Sequence, residues 1–172
     1  MVAHPDTPPC SVQYVNVAVQ RSGRSLHIQY VVEGPTNLLA LPQPAKPYRA
    51  DELWRTTCFE LFVATGPESY LEFNFSPSSQ WAEYRFDTYR SGMEALPVDT
   101  PAIVRVFDED HYLHVSVTID FPVMAIGPIG LSAVIEETDG TKSYWALAHA
   151  PGPPDFHNRD CFTATLPVPD PA

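Results

Sequence analysis

Alternating apolar and polar residues recur along most of this chain, and a period of two is typical of β-strands. The first two alternating runs, residues 12–20 and 25–32, are separated by four residues that include Gly23. A glycine at this place suits a tight reversal, so the pattern predicts a hairpin. Residues 34–48 then contain four prolines, which predicts a long surface connection without strand or helix.

Three further runs carry the strongest β-signal, because they combine β-branched and aromatic residues with Gly, Pro or Ser at their ends. They cover residues 57–63, 69–75 and 80–86 and predict three consecutive antiparallel strands. Later runs with the same alternation cover residues 102–107, 112–119, 131–138 and 141–148, and a short one covers 161–166.

Two short segments between the later runs have their own signals. Asp139 and Gly140 separate the runs at 131–138 and 141–148. Asp-Gly is typical of a type I′ turn, in which both central residues have positive φ, and so predicts a hairpin. Residues 122–129 contain two prolines and predict at most one helical turn.

About nine or ten short strands with turns roughly every 8–12 residues predict an all-β protein. Units of the βαβ kind would require helical stretches between the strands, and the pattern offers none. We therefore expect an antiparallel β-sandwich or a barrel. With 172 residues, 44% of them hydrophobic, the chain is expected to form one domain over residues 1–172 with proline-rich tails.

The net charge of −11 argues against some classes of partner. An acidic chain repels phosphate backbones and anionic lipids, so nucleic acids and membrane surfaces are not expected to bind. The first residues have neither a charged start nor an apolar run of signal-peptide length, which predicts a cytoplasmic protein. Cys10, Cys58 and Cys161 lack CxxC spacing, so we expect buried thiols inside strands rather than disulfides or a zinc site.

Glu60 and Glu72 each stand between two large apolar residues of a predicted strand. Such residues commonly point to the solvated face of an antiparallel sheet. An odd number of residues between the two strands places both glutamates on one face, whereas an even number separates them. Both registers are open at this stage. We favour the one with Glu60 opposite Asn74, because it keeps the two carboxylates from facing each other directly.

Aromatic and hydrogen-bonding side chains accompany the two glutamates in the same strands and their approaches. They are Trp54, Asn74, Ser76, Trp81, Tyr84 and Arg85. A sugar stacks its C–H face on a ring while its hydroxyls donate and accept hydrogen bonds, so this combination suits a saccharide. A carboxylate pair also allows a glycosidase. However, the sequence has no G-x-S-x-G, H-E-x-x-H, phosphate-loop or Rossmann motif, and we expect no catalysis.

A second group of candidates lies near the C-terminus. Trp145 offers a second stacking ring, and His149, Asp155 and His157 offer polar contacts to a ligand. Asp155, His157 and Asp160 also carry metal-ligand side chains, although such residues more often anchor turns. Haem ligation by methionine and histidine is a further alternative. The candidate haem ligands are Met93, Met124, His149 and His157.

Three motifs occur in order along residues 53–166. They are Leu53-Trp54-Arg55-Thr56-Thr57-Cys58-Phe59-Glu60-Leu61-Phe62, Tyr70-Leu71-Glu72-Phe73-Asn74-Phe75-Ser76-Pro77 and Pro154-Asp155-Phe156-His157. This order resembles bacterial DOMON-like domains, a group that looks like family 9 carbohydrate-binding modules. The resemblance implies an antiparallel β-sandwich of the jelly-roll type with a ligand site on one sheet, which holds sugar in the carbohydrate modules and haem in the cytochrome-like members. It further implies that Trp54 and Trp145 stack on the ligand and that Glu60 accepts from its hydroxyls, with Arg85 a loose match to the modules' arginine.

The expected function is non-catalytic binding of a saccharide or a similar small polar molecule. The alternatives are a haem-binding domain and a protein-interaction module. Trp54 and Trp145 are expected to supply opposite walls of one cleft, because segments distant in sequence meet at the poles of a sandwich. At least one of these rings is then partly exposed beside Glu60.

Overall fold

The alternating runs form β-strands in the computed structural model, which describes residues 1–97, 101–121 and 127–166. The strands are β1 (Val2–Ala3), β2 (Tyr14–Ser22), β3 (Ser25–Glu33), β4 (Cys58–Ala64), β5 (Tyr70–Phe75), β6 (Trp81–Phe86), β7 (Glu94–Ala95), β8 (Ile103–Glu109), β9 (Tyr112–Asp120), β10 (Pro128–Glu136), β11 (Lys142–Ala146) and β12 (Ala164–Thr165). Short 3₁₀ helices cover Thr36–Leu38, Leu53–Arg55 and Arg159–Cys161.

Two antiparallel sheets pack as a sandwich, which confirms the predicted fold class. The larger sheet has the order β1-β11-β10-β4-β5-β6-β7, with β12 beside β10, and the smaller has the order β2-β3-β9-β8. Nine of the ten predicted runs correspond to the nine described strands of five or more residues, and the tenth, residues 161–166, overlaps β12. The two-residue strands β1 and β7 had no periodic signal, because two residues are too few to show one.

The main core lies between the sheets. In β3 and β9 every second residue is buried, and in β2 every second residue is buried or half-buried, as expected for a sheet with one solvated face. In β4 and β5 every residue is buried. Both faces of the larger sheet are therefore covered, the inner face by the smaller sheet and the outer face by connecting segments.

A second apolar cluster forms on the outer face of the larger sheet. Strand residues of this cluster include Phe62, Tyr70, Tyr84 and Phe86. Residues of the 3₁₀ helix Leu53–Arg55 and of the segment 150–162 pack over them. Gly130 allows one such approach, because a Cβ atom there would lie 2.9 Å from a ring carbon of Phe162.

The hairpin at Asp139-Gly140 forms, but its turn type differs from the prediction. Gly140 has φ of +88°, whereas Asp139 is not among the residues with positive φ. The Glu137 N–H donates to the Thr141 carbonyl and the Asp139 carboxylate accepts from the Thr141 N–H at 2.8 Å. The loop is therefore a three-residue turn ending in a left-handed glycine, not a two-residue type I′ turn.

The C-terminal strand and the cysteines also depart from the predictions. Strand β12 is shorter than residues 161–166, because Arg159–Cys161 forms a 3₁₀ helix. Cys58 is a buried thiol in a strand as expected, but Cys161 is buried outside any strand and Cys10 is only half-buried. Residues 122–126 of the predicted helical turn lie outside the described residues. In the described parts of the chain, no helix has the length and apolar character needed to cross a membrane.

Candidate functional site

A cavity of about 490 Å³ lies on the outer face of the larger sheet, within the size range of small-molecule sites. Its floor is made by strand residues Glu60, Phe62, Glu72, Phe86, Val134 and Tyr144. Its walls are made by Trp54, Arg90, Met93, Pro154, Phe156 and His157. Aromatic rings and a few polar groups thus converge on one concave surface.

The register of β4 and β5 places both glutamates in this floor. Five residues connect the strands, and Glu60 lies opposite Asn74 while Glu72 lies opposite Phe62. This is the register with an odd connection that we favoured from the sequence, and it is confirmed. The glutamates are therefore diagonal neighbours on one face, close enough to interact without being directly opposed.

Among the described residues, each carboxyl group accepts one hydrogen bond from a side chain. The Ser132 hydroxyl donates to Glu60 Oε2 at 2.7 Å, and the Asn74 amide donates to Glu72 Oε1 at 2.7 Å. Burial raises the pKa of Glu60 to about 8, and the negative charge of Glu72 adds to the rise. Burial also raises the pKa of Glu72 to about 7. The ligand-free pair therefore retains protons near neutral pH.

Arg90 lies on the wall, where Asp155 holds it. The guanidinium forms an ion pair with Asp155 at 2.7 Å, and the Tyr89 hydroxyl donates to the same carboxylate at 2.6 Å. The backbone of Arg90 is left-handed, with φ of +51°, in the turn after β6. Its charge is thus largely compensated by Asp155 rather than by the glutamates of the floor.

His157 is uncharged at neutral pH, because burial lowers its pKa to about 4, with a further contribution from Arg90. Its Nδ1 lies 2.8 Å from the Tyr70 hydroxyl, which accepts from the Arg90 N–H at 3.2 Å. This arrangement favours donation from Tyr70 to Nδ1 and leaves the ring proton on Nε2. Nε2 lies 3.7 Å from Glu72 Oε2. Because the imidazole is uncharged at neutral pH, this contact is not an ion pair.

Part of the predicted site is brought together by the fold. Trp54, Glu60, Glu72 and His157 line the cavity. Two more predicted residues support it without lining it: Asn74 binds Glu72, and Asp155 binds Arg90. Trp54 is partly exposed and lines the same cavity as Glu60, as expected for one of the two tryptophans.

The other predicted residues lie elsewhere. Trp81 and Trp145 are each 6% exposed and belong to the core between the sheets. Arg85 shares the face of Leu71, opposite to the cavity, and pairs with Asp87 and Glu94. His149 lies outside the cavity lining, and its Nε2 lies 2.9 Å from the Val2 carbonyl oxygen.

The expected cleft between Trp54 and Trp145 does not form, because the two rings lie on opposite faces of the sheet. Alternation in β11 turns Trp145 inward, where its N–H donates to the Ser143 hydroxyl at 3.0 Å. The neighbouring residue Tyr144 faces the cavity instead. The aromatic ring that β11 gives the cavity is therefore that of Tyr144, one residue before Trp145. Phe156 adds a second ring, whose centroid lies 6.3 Å from that of Tyr144.

Sequence reasoning missed several lining residues. The faces of Phe62, Phe86 and Tyr144 could have been predicted from strand alternation. Once one residue of a strand is known to face the cavity, every second residue of that strand faces it too. Arg90 and Phe156 lie in irregular segments, where no periodicity shows which way a side chain points.

The metal and haem alternatives find little support in these residues. In residues 1–97, 101–121 and 127–166 no three His, Cys, Asp or Glu side chains are grouped to hold a metal ion. Met93 and His157 both line the cavity, but Met93 is 54% exposed. Met124 lies outside the described residues.

Comparison with known proteins supports the fold. No known family and no curated protein matches this sequence. A solved structure with a similar fold is that of a protein from Bacteroides uniformis ATCC 8492, provisionally named a carbohydrate-binding protein. The two have a TM-score of 0.64 and 13% sequence identity, and the match covers 96% of this chain and 82% of that one. At this identity the similarity shows a shared fold.

The raised carboxyl pKa values predict that the ligand-free protein loses stability as pH rises from 6.5 to about 8. Glu60, Glu72 and Glu83 stay protonated in the folded state while the unfolded chain ionises at about its ordinary carboxyl pKa of 4.5. The stabilisation is therefore complete below pH 4.5 and is lost through the folded pKa values. His157 opposes this trend only below its ordinary pKa of 6.5.

Urea unfolding at several pH values measures this effect, since each retained proton changes stability by about 1.4 kcal/mol per pH unit. The double variant Glu60→Gln/Glu72→Gln should reduce the slope and leave the part due to Glu83. An unchanged slope in the double variant would contradict the assignment.

Proposed function

We propose that this chain is a non-catalytic binding module for a saccharide or a similar small polar molecule, and that the outer-face cavity is its binding site. One observation carries the proposal: Trp54, Glu60 and Glu72 line a single cavity. The indole ring of Trp54 provides a face on which the C–H groups of a sugar can stack. The buried carboxyls offer hydrogen-bond acceptors and, while protonated, donors to hydroxyls.

A binding role is favoured over glycoside hydrolysis by the position of the carboxyls. Hydrolysis requires an acid and a nucleophile or base that flank the scissile bond. Glu60 and Glu72 come from adjacent strands of one sheet and both lie in the floor of the cavity. A ligand resting on this floor would have both groups on one side.

The similarity of fold to the Bacteroides uniformis protein agrees with this proposal. We further propose a relationship to DOMON-like domains and family 9 carbohydrate-binding modules, for which the ordered motifs and the sandwich are the support. In this chain Tyr144 would take the role that the resemblance assigned to Trp145.

Isothermal titration calorimetry against a panel of neutral and amino monosaccharides, oligosaccharides and sugar nucleotides tests the function. We expect at least one saccharide to bind with 1:1 stoichiometry and without being consumed. Absence of binding across the whole panel would refute saccharide recognition, and turnover of a bound glycoside would refute the non-catalytic role.

A further inference from the structure

Within the described residues, neither acidic group in the cavity floor forms an ion pair with a lysine or arginine, although the charge of Arg90 acts on both of them across the cavity. Glu60 is 3% exposed, and its Oε1 accepts no hydrogen bond from any residue in the described parts of the chain. Glu72 is 4% exposed, and its Oε2 is 3.7 Å from His157 Nε2, beyond hydrogen-bonding distance. Each carboxyl therefore keeps one oxygen available in the cavity that both residues line.

The charges around the pair compensate this acidity only in part, through Arg90. The titratable or charged groups that surround it are Tyr30, Cys58, Tyr70, Tyr84, Arg90, Asp155 and His157. Arg90 is the one Lys or Arg among the described lining residues, and it is already paired with Asp155 at 2.7 Å. His157 is neutral near pH 7. A bound cation would favour ionisation of the pair and balance the negative charge that forms.

The aromatic lining favours the same kind of group. Phe62, Phe86 and Tyr144 lie in the floor with the two glutamates, and Trp54 and Phe156 lie in the walls. The faces of aromatic rings carry negative electrostatic potential and attract ammonium groups, most strongly where water is excluded. The protein's net charge of −11 also raises the local concentration of cationic ligands.

We propose that the ligand of this cavity carries a protonated amine, which binds the free oxygens of Glu60 and Glu72. This inference deepens the proposed function, since it uses the same cavity and names the charged group that it selects. On binding, one carboxyl group releases its proton to solvent, and the resulting carboxylate pairs with the ammonium group. The complex therefore has the same net charge as the free protein.

Calorimetry at pH 6 with glucosamine, glucose and N-acetylglucosamine tests the inference, because the three differ in the group on one carbon. We expect glucosamine to bind at least about tenfold more tightly than the two neutral sugars. Repeating the titration in buffers of different ionisation enthalpy should show release of about one proton per bound glucosamine. Ethanolamine, which is protonated at this pH, and ethylene glycol form a second charged and neutral pair without a sugar ring.

Variants show whether the glutamates cause the preference. Glu60→Gln/Glu72→Gln should remove the preference for glucosamine and the proton release while keeping the shape of the site. Glu83→Gln is the matched control, since Glu83 is also buried with a pKa raised to about 7 but does not line the cavity. This control should keep both the preference and the proton release.

The outcomes separate this inference from the proposed function. Equal or tighter binding of glucose, dependent on Trp54, would overturn the amine proposal and leave saccharide binding intact. Binding of ethanolamine without any sugar would support the amine proposal and refute saccharide binding. If none of the five probes binds, the amine proposal is overturned.

Discussion

Trp145→Ala is expected to lower the free energy of unfolding by about 3–5 kcal/mol, the usual cost of truncating a large aromatic residue in a core. Its ring is 6% exposed and packs between the two sheets, so alanine would leave a cavity there. The substitution would also remove the indole donor to the Ser143 hydroxyl. Urea denaturation followed by circular dichroism measures the loss.

Trp54→Ala is the comparison for this prediction. Trp54 is partly exposed, and its ring meets Tyr84 edge-on with centroids 6.1 Å apart. Its removal should cost about 1 kcal/mol, mainly through this contact. Equal losses of stability in the two variants, or a larger loss for Trp54→Ala, would contradict the placement of the rings on opposite faces.

The second large effect concerns affinity. Trp54→Ala should weaken binding of the ligand found in the saccharide panel by about 30-fold or more, as is typical for loss of an aromatic anchor. The ring forms a wall of the cavity beside Glu60 and Glu72, and the floor is left unchanged by the substitution. Calorimetry with the purified variant measures the change.

Tyr14→Ala provides a control for affinity, because Tyr14 is 61% exposed and lies in β2 of the smaller sheet. It should bind the ligand as the unmodified protein does. Loss of binding in Tyr14→Ala with retention in Trp54→Ala would move the site to the smaller sheet.

The fold was predictable because strand alternation is a local property of the sequence. The hairpins at Gly23 and at Asp139-Gly140 form where turn residues interrupt alternating runs. The predicted type of the second turn was wrong, because Asp-Gly also suits a three-residue loop in which only the glycine has positive φ. Sequence alone does not distinguish the two loops.

The site was predictable only in part. Glu60 and Glu72 could be assigned to one face as soon as the connection between their strands was taken as odd. Trp145 and Tyr144 are adjacent in β11, so only one of their rings can face the cavity. Hydrophobicity does not show which one, because neither face of β11 is exposed to solvent. Arg90 reaches the cavity from a turn, where side-chain direction depends on tertiary contacts.

The central claim is that a ligand binds in the outer-face cavity beside Trp54. Fluorine NMR of protein labelled with 5-fluorotryptophan tests it directly, because the three tryptophans give one resonance each. The Trp54 resonance, assigned from the Trp54→Phe variant, should shift most on addition of the saccharide, while those of the core residues Trp81 and Trp145 change little. A shift of Trp81 or Trp145 at saturation, with the Trp54 resonance unmoved, would contradict the account.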